Sequence, residues 1–313
     1  MANLRELSQK KDYLTGGHRL CAGCGHSIAV RQVLLASEAP VVVGCATGCL
    51  EVSTTIYPYT AWKCSYIHNA FENVAATISG VESAYLALKR QGKVDKELKF
   101  VAFAGDGGTY DIGLQSLSGA LERGHKMVYV CCDNGAYMNT GIQRSSATPK
   151  GAWTTTTPVG TESSGKPHVR KNLTAICADH NIPYVAQASI SNWKDLNAKA
   201  TKALEADGPA FLNILSPCPR GWRHASNQTV EMARIGVKTR FWPLYEVENG
   251  VWKLNVKVRD PRPVEEWFKL QGRFKHLFGP GNEELLAELQ ADVDSQWETL
   301  LARCEATKPP VNT

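Results

Sequence analysis

The chain has 313 residues, 43% of them hydrophobic and 21% charged, with a formal net charge of +5. That is an ordinary globular composition, long enough for one large or two medium domains. With no run of 18 apolar residues, no membrane span is expected. The mild positive charge, with basic residues clustered between Lys253 and Lys275, reads as a solvated face, because no aromatic-basic nucleic-acid module accompanies it.

The first residues, MANLRELSQKKDYLTGGHRL, are polar and lack a signal-peptide core, so a cytoplasmic location is expected. CAGCGHS follows at 21–27. Two thiols three residues apart among glycines suit a zinc knuckle, a redox dithiol or half of an iron–sulfur site. The chain holds 10 cysteines, too many to pass over in a reducing compartment, where they are buried hydrophobes or metal ligands rather than disulfides. Cys131, Cys132 and Cys177 lie in apolar runs (MVYVCC, LTAICADH) and are expected in the core.

Strands are expected at VVVG (41–44), KFVAFAG (99–105), KMVYVCC (126–132), PYVAQAS (183–189) and AFLNILS (210–216). A helix over 68–90, beginning near His68, carries Phe71, Val74, Ala75, Ile78, Tyr85 and Leu88 on one face. DIGLQSLSGALERG is a second helix, ended by Gly124, and 191–208 a third. Nearly all-apolar strands alternating with helices predict an α/β fold: a mostly parallel sheet with helices on both faces. Residues 145–169 lack any period, as expected of a functional or disordered loop. The expected division is a domain over 1–230, then a C-terminal arm over 231–313. That arm contains FWPLYEVENGVW and a helix over 283–303 with Leu286, Leu289, Val293, Trp297 and Leu300. Its aromatics are expected to pack on the same domain or on a partner subunit.

AGDGGTYDIG at 104–113 joins a strand to a helix. Gly105, Gly107 and Gly108 let backbone N–H groups approach an anion at a helix N-terminus. Asp106 between them cannot ligate phosphate directly and needs a bridging cation such as Mg²⁺. After Gly107, 25 residues intervene before Asp133 and Asn134, at the end of the next expected strand. Asp106 and Asn134 therefore sit at the carboxyl ends of successive strands, where parallel sheets bind ligands, and each offers a side-chain oxygen. No GxxxxGKS occurs, and no GxGxxG with a downstream acid follows a strand.

The spacing resembles the thiamine diphosphate (TPP) motif, in which Asn134 matches the metal-binding Asn and Ala136 supplies the carbonyl ligand. Together with CAGCGH, ATGC, HNAFENVAATISG, DNGAYMNTGIQRSSATPKGA, SPCPRGW and VEEWFKLQGRFKHL, it makes nearly the whole chain similar to one family. That family is the β subunits of the TPP-dependent 2-oxoacid:ferredoxin oxidoreductases, pyruvate type. The resemblance implies a [4Fe–4S] cluster on Cys21, Cys24, Cys49 and Cys218, with Cys45 the competing choice beside Cys49. It implies Mg²⁺ on Asp106, Asn134 and the Ala136 carbonyl, and Asn139 and Thr140 facing the reacting carbon, with His26 touching the cofactor. Zinc would fit four thiolates but would be idle beside TPP, whereas two electrons leaving one at a time need a redox cluster. The glutamate that hydrogen-bonds the aminopyrimidine is implied to lie on an α subunit, Glu72 here being a decoy. Other implied partners are a ferredoxin-like cluster subunit or domain and ferredoxin as acceptor, in an assembly such as a dimer of heterotrimers. Within the family the chain looks most like the oxalate oxidoreductase branch, which splits oxalate to CO₂; pyruvate with coenzyme A is the alternative substrate. A non-redox TPP lyase or carboligase is the more remote one.

Overall fold

The computed structural model describes residues 3–309. Its strands are β1 (Val41–Ala46), β2 (Ser65–Asn69), β3 (Lys99–Gly105), β4 (Val128–Asp133), β5 (Tyr184–Ser189), β6 (Ala210–Leu215), β7 (Tyr245–Glu248) and β8 (Val251–Leu254). They form one 8-stranded sheet in the order β2-β1-β3-β4-β6-β5-β7-β8. The pairings from β2 across to β5 are parallel, and β7 and β8 add antiparallel at the β5 edge.

The central strands are apolar throughout because both faces are covered. In β3, Val101 and Phe103 enter one core cluster while Phe100, Ala102 and Ala104 enter the other. In β4, Val128, Val130 and Cys132 alternate in the same way with Tyr129 and Cys131. The first cluster takes in residues of the helices Gly25–Leu34, Trp193–Glu205 and Thr229–Lys238. The second takes in residues of Val74–Arg90, Leu114–Glu122 and Leu173–Ala178. Cys131, Cys132 and Cys177 are buried, as apolar neighbours on both sides predict.

Two expectations are corrected. His68 does not begin a helix: it lies in β2, paired with Cys45 of β1, and the helix starts at Val74. This short edge strand, SYIHN, is largely solvent-facing and so shows no buried alternation. The stretch after 230 is not an extended arm, since a helix over Thr229–Lys238 crosses that position and β7 and β8 extend the sheet itself. Asn249 and Gly250, both at positive φ, close the β7–β8 hairpin, an Asn-Gly signal the sequence carried. The aromatics of this stretch pack inward: Trp242 and Tyr245 are buried, and Tyr245 stacks on Trp252 with centroids 5.5 Å apart. The C-terminal helix runs Glu283–Ala306 and buries Leu289, Val293, Trp297 and Leu300.

The 145–169 loop has no helix or strand but is pinned to the domain. Lys166 is buried, and its Nζ donates to the Thr148 carbonyl at 2.6 Å. Its backbone meets residues 151 and 152 through Gly151 N–H to Lys166 O and Lys166 N–H to Ala152 O.

Phe103, with 0% exposure, fills the centre of one face and packs against Trp62. Phe103→Ala is expected to cost about 3–5 kcal/mol, read as a lower denaturant midpoint, whereas Leu86→Ala, on the outer face of its helix, should leave the midpoint nearly unmoved.

Candidate active site

The four central strands β1, β3, β4 and β6 are adjacent and end together. The residues that follow them are Thr47-Gly48-Cys49, Asp106, Asn134 and Ser216-Pro217-Cys218. One sheet edge thus delivers an acid, an amide and two thiols from four separate segments, at the place where open parallel sheets bind ligands.

Asp106 is fully buried. Its Oδ2 accepts from Ser145 Oγ at 2.6 Å and its Oδ1 from the Asn134 N–H at 3.1 Å. Burial, and then the charge of Asp133, push its carboxyl well above the usual range. Asp133 itself is neutralised by Arg170 at 2.7 Å, whose guanidinium also donates to Tyr110 Oη at 2.7 Å.

The Asn134 side-chain oxygen faces two further oxygens, Asp106 Oδ1 at 2.9 Å and the Ala136 carbonyl at 3.0 Å. Its amide nitrogen lies 3.1 Å from His26 Nε2. Burial lowers the His26 pKa to about 4, so the ring is neutral. In the tautomer that leaves Nε2 bare, a neutral His26 takes the amide NH₂ and turns the Asn134 oxygen toward Asp106 and Ala136. Three oxygens facing one another with no donor between them are what a hard divalent cation satisfies. In its absence the same atoms are satisfied by turning the amide over.

Beyond Asp106 the chain enters a wide helical turn, Gly108–Ile112, closed by Gly113 N–H to the Gly108 carbonyl at 2.7 Å. Such five-residue hydrogen-bond spacing is rare and favours functional sites. Gly107 is required sterically: a Cβ there would stand 2.4 Å from the Tyr137 ring.

The loops carrying Cys21 and Cys24, Cys49, and Cys218 approach one another near this edge, close enough for their charges to interact. Burial and then like charge from Cys218 and Cys21 push the Cys24 thiol up to about 12, against the backbone N–H of His26. Burial, followed by Cys218, Cys24 and Cys21, does the same for Cys49, also to about 12. Burial raises Cys218 too, opposed by the Gly221 and Arg220 N–H groups, with Gly221 N–H at 3.3 Å from its sulfur. Cys24 and Cys49 are each raised by like charge from Cys218 and Cys21, so thiolates there would repel, and a positively charged group among them would relieve both repulsion and burial. Among the described residues no three such groups converge on one ion. Cys45, the competing choice, is instead buried beside Tyr66 and Glu51. The loop carrying Cys21 and Cys24 docks through Gly25 N–H to the Pro217 carbonyl at 3.2 Å. Gly23, at φ +74, approaches the Ser226 carbonyl so closely that a Cβ would lie 2.1 Å from it.

One cleft of about 30 Å³ is lined by His26, Cys49, Gly105, Asp106, Gly107, Gly108, Asn134, Ala136, Asn139 and Thr140, together with Thr47, Gly48, Phe71, Tyr137 and Met138. Every residue expected at the diphosphate site is therefore in one place. Larger cavities lie elsewhere on the chain; this one is shallow, with Asn139 and Thr140 exposed on its rim. Glu72 is exposed and does not line it, and Asp106 is the only acid that does, among the described residues. Arg144 is likewise exposed and off the lining. Sequence reasoning missed Ser145, Arg170, Trp222 and Arg273. Trp222 Nε1 donates to the Asn134 carbonyl at 2.6 Å, and the buried Arg273 guanidinium stacks 4.2 Å above the Trp222 ring. Trp222 stands in the quoted SPCPRGW segment, and Ser145 and Arg273 in two other quoted motifs, but only the fold assigns them partners.

A profile for the thiamine pyrophosphate enzyme C-terminal TPP-binding domain matches residues 42–214. The chain is 55% identical over 316 residues to pyruvate synthase subunit PorB of Thermotoga maritima, covering 98% of each. It is 47% identical to the same-named subunit of Methanocaldococcus jannaschii, covering 93% of this chain and 97% of that one. It is 43% identical to ketoisovalerate oxidoreductase subunit VorB of Pyrococcus furiosus, covering 93% of each. Among solved structures, the 2-oxoglutarate:ferredoxin oxidoreductase of Magnetococcus marinus superposes with a TM-score of 0.55 at 23% identity, covering 71% of this chain and 79% of that one, a likeness of fold.

His26→Phe keeps a ring but removes the acceptor that orients the Asn134 amide. It is expected to weaken Mg²⁺-dependent TPP binding about 10–100-fold, measured calorimetrically on the assembled complex, with Asp106→Asn weakening it further. Wild-type affinity in His26→Phe would mean that the amide is oriented by something else.

Proposed function

This chain belongs to the β subunits of the TPP-dependent 2-oxoacid:ferredoxin oxidoreductases, and from that premise we propose how its residues serve the reaction. Asp106, Asn134 and the Ala136 carbonyl hold Mg²⁺, and the Gly107–Gly108 turn offers backbone N–H groups to the diphosphate the metal carries. Cys21, Cys24, Cys49 and Cys218 hold a [4Fe–4S] cluster at the same sheet edge. When bound, TPP would supply the decarboxylation chemistry for a 2-oxo acid, and a cluster on these thiols would supply one-electron transfer toward ferredoxin. The observation that carries this reading is the set of three oxygens, from Asp106, Asn134 and Ala136, facing one another at the sheet edge where Cys49 and Cys218 also follow their strands.

Asn139 and Thr140, on the exposed rim, face the reacting carbon, where the Asn139 amide donates to a developing oxyanion. The cleft is half a site: it is shallow, and Asp106, its one acid, already belongs to the cation position. An α subunit closes it and brings the carboxylate for the aminopyrimidine, so the chain alone is inactive. A cluster-bearing subunit or domain carries electrons onward, in an assembly such as a dimer of heterotrimers. Among the described residues no helix is long and apolar enough to cross a membrane, and the reading places the complex in the cytoplasm.

The substrate is of the pyruvate type. The similar subunits from Thermotoga maritima and Methanocaldococcus jannaschii are named for pyruvate. Phe71 and Met138 line the cleft and no Lys or Arg does, which suits a methyl substituent. Oxalate, expected from the sequence motifs, is the second reading. Its extra carboxylate finds Asn139 on this chain and, with Arg144 off the lining, needs a cation from the partner.

Viologen reduction by the anaerobically purified complex separates the two: pyruvate plus coenzyme A is expected to turn over, and oxalate alone not. Turnover with oxalate alone would reverse the substrate and leave the cofactor sites intact. Cys24→Ser and Cys218→Ser are each expected to lower iron content and reduce viologen reduction more than about 100-fold (about 2.7 kcal/mol or more), while Cys45→Ser keeps its iron. An active, iron-free preparation would remove the redox reading.

A further inference from the structure

A second cavity, of about 140 Å³, lies away from the TPP cleft, between the β5–β7 edge of the sheet and the C-terminal helix. Its polar lining is one-sided in charge: Arg170, Lys171, Arg240 and Arg303 contribute to the wall, and no Asp or Glu does. Three of these guanidinium groups lie over indole rings. Arg170 stands 4.7 Å from the Trp242 centroid, Arg240 stands 4.6 Å from Trp297, and Arg303 stands 4.7 Å from Trp252.

Only Arg170 is neutralised, by Asp133 behind the cavity. Lys171 is spent on the Tyr110 carbonyl, and Arg240 donates one amino group to the Val258 carbonyl at 2.8 Å. Among the described residues, Arg240 and Arg303 pair with no carboxylate, and the buried Nε of Arg240 has no hydrogen-bond partner at all. A buried guanidinium N–H left unpaired costs free energy unless something completes it. Arg240 is moreover held at φ +59, a conformation side-chain-bearing residues enter rarely.

We propose that this cavity is a binding site for a small organic anion that joins a carboxylate to a flat apolar body. The carboxylate meets the forked edges of Arg240 and Arg303, a geometry guanidinium groups accept in pairs. The flat body lies among Trp242, Trp252 and Trp297. The volume suits one ring, since a cavity of roughly 150 Å³ holds benzene. Neither Arg240 nor Arg303 belongs to the TPP cleft, so the site stands or falls apart from the reading of that cleft.

The test is calorimetric titration of the purified complex with benzoate, acetate and inorganic phosphate. Benzoate is expected to bind saturably, with acetate and phosphate at least about tenfold weaker, a difference of roughly 1.4 kcal/mol or more. Arg240→Leu and Arg303→Leu are each expected to weaken benzoate by a similar factor, with viologen reduction in its absence unchanged. Arg303 lies on the partly exposed side of a long helix, so Arg303→Lys keeps the fold and the charge; loss of benzoate affinity there too assigns the fork geometry. Absence of saturable benzoate binding, or wild-type affinity in all three variants, overturns the proposal. Phosphate binding as tightly as benzoate overturns the assignment of a flat body.

Discussion

A buried carboxylate facing two other oxygens is the constraint around which this chain is arranged. Asp106 has no solvent to stabilise its charge, and Asp133 adds a second acid close by. Burial of that kind is tolerated only where hydrogen bonds and opposite charge answer it. The answers are visible in every neighbouring element. Ser145 reaches in from the long loop, the Asn134 N–H comes from the end of β4, and Arg170 neutralises Asp133. What remains is the gap between Asp106, Asn134 and Ala136, which only a cation or a turned amide satisfies.

The thiol group is tied to the same constraint. Trp222, one turn beyond Cys218, donates to the carbonyl of Asn134, and the segment of Cys218 also receives the N–H of Gly25 through Pro217. The Cys218 segment is thus tied both to the oxygen triad and to the loop carrying Cys21 and Cys24, which fixes their relation to one another. A reaction that generates electrons at one group and removes them through the other needs that fixed relation, because transfer depends on separation and on the surroundings of the sulfurs. The hydrogen bond from the Gly221 N–H to the Cys218 sulfur, at 3.3 Å, is a contact that would tune a cluster held there.

The fold was largely legible because burial on both faces makes the central strands uniformly apolar and the helices between them periodic. β2 escaped because an exposed edge strand carries no such pattern, and the helix start was consequently placed at His68. The C-terminal region was misjudged from composition: its tryptophans and basic residues suggest an arm, while Asn249-Gly250 marks the hairpin that joins it to the sheet. At the site, the glycines, Asp106, Asn134 and the cysteines were legible from spacing and motif, since tight approach and metal ligation restrict residue type. Ser145, Arg170 and Arg273 were not, because each acts through a partner distant in the chain, and an arginine in a loop looks the same whether it neutralises a buried acid or faces water.

The central claim is that one sheet edge holds both a divalent cation and a cluster. Anomalous diffraction at the iron absorption edge, from anaerobically grown crystals of the intact complex with TPP and Mg²⁺, tests it most directly. The account predicts iron enclosed by the sulfurs of Cys21, Cys24, Cys49 and Cys218, and Mg²⁺ bound by Asp106, Asn134 and the Ala136 carbonyl. Iron held by Cys45 or Cys64, or a cation bound away from Asp106, would contradict it.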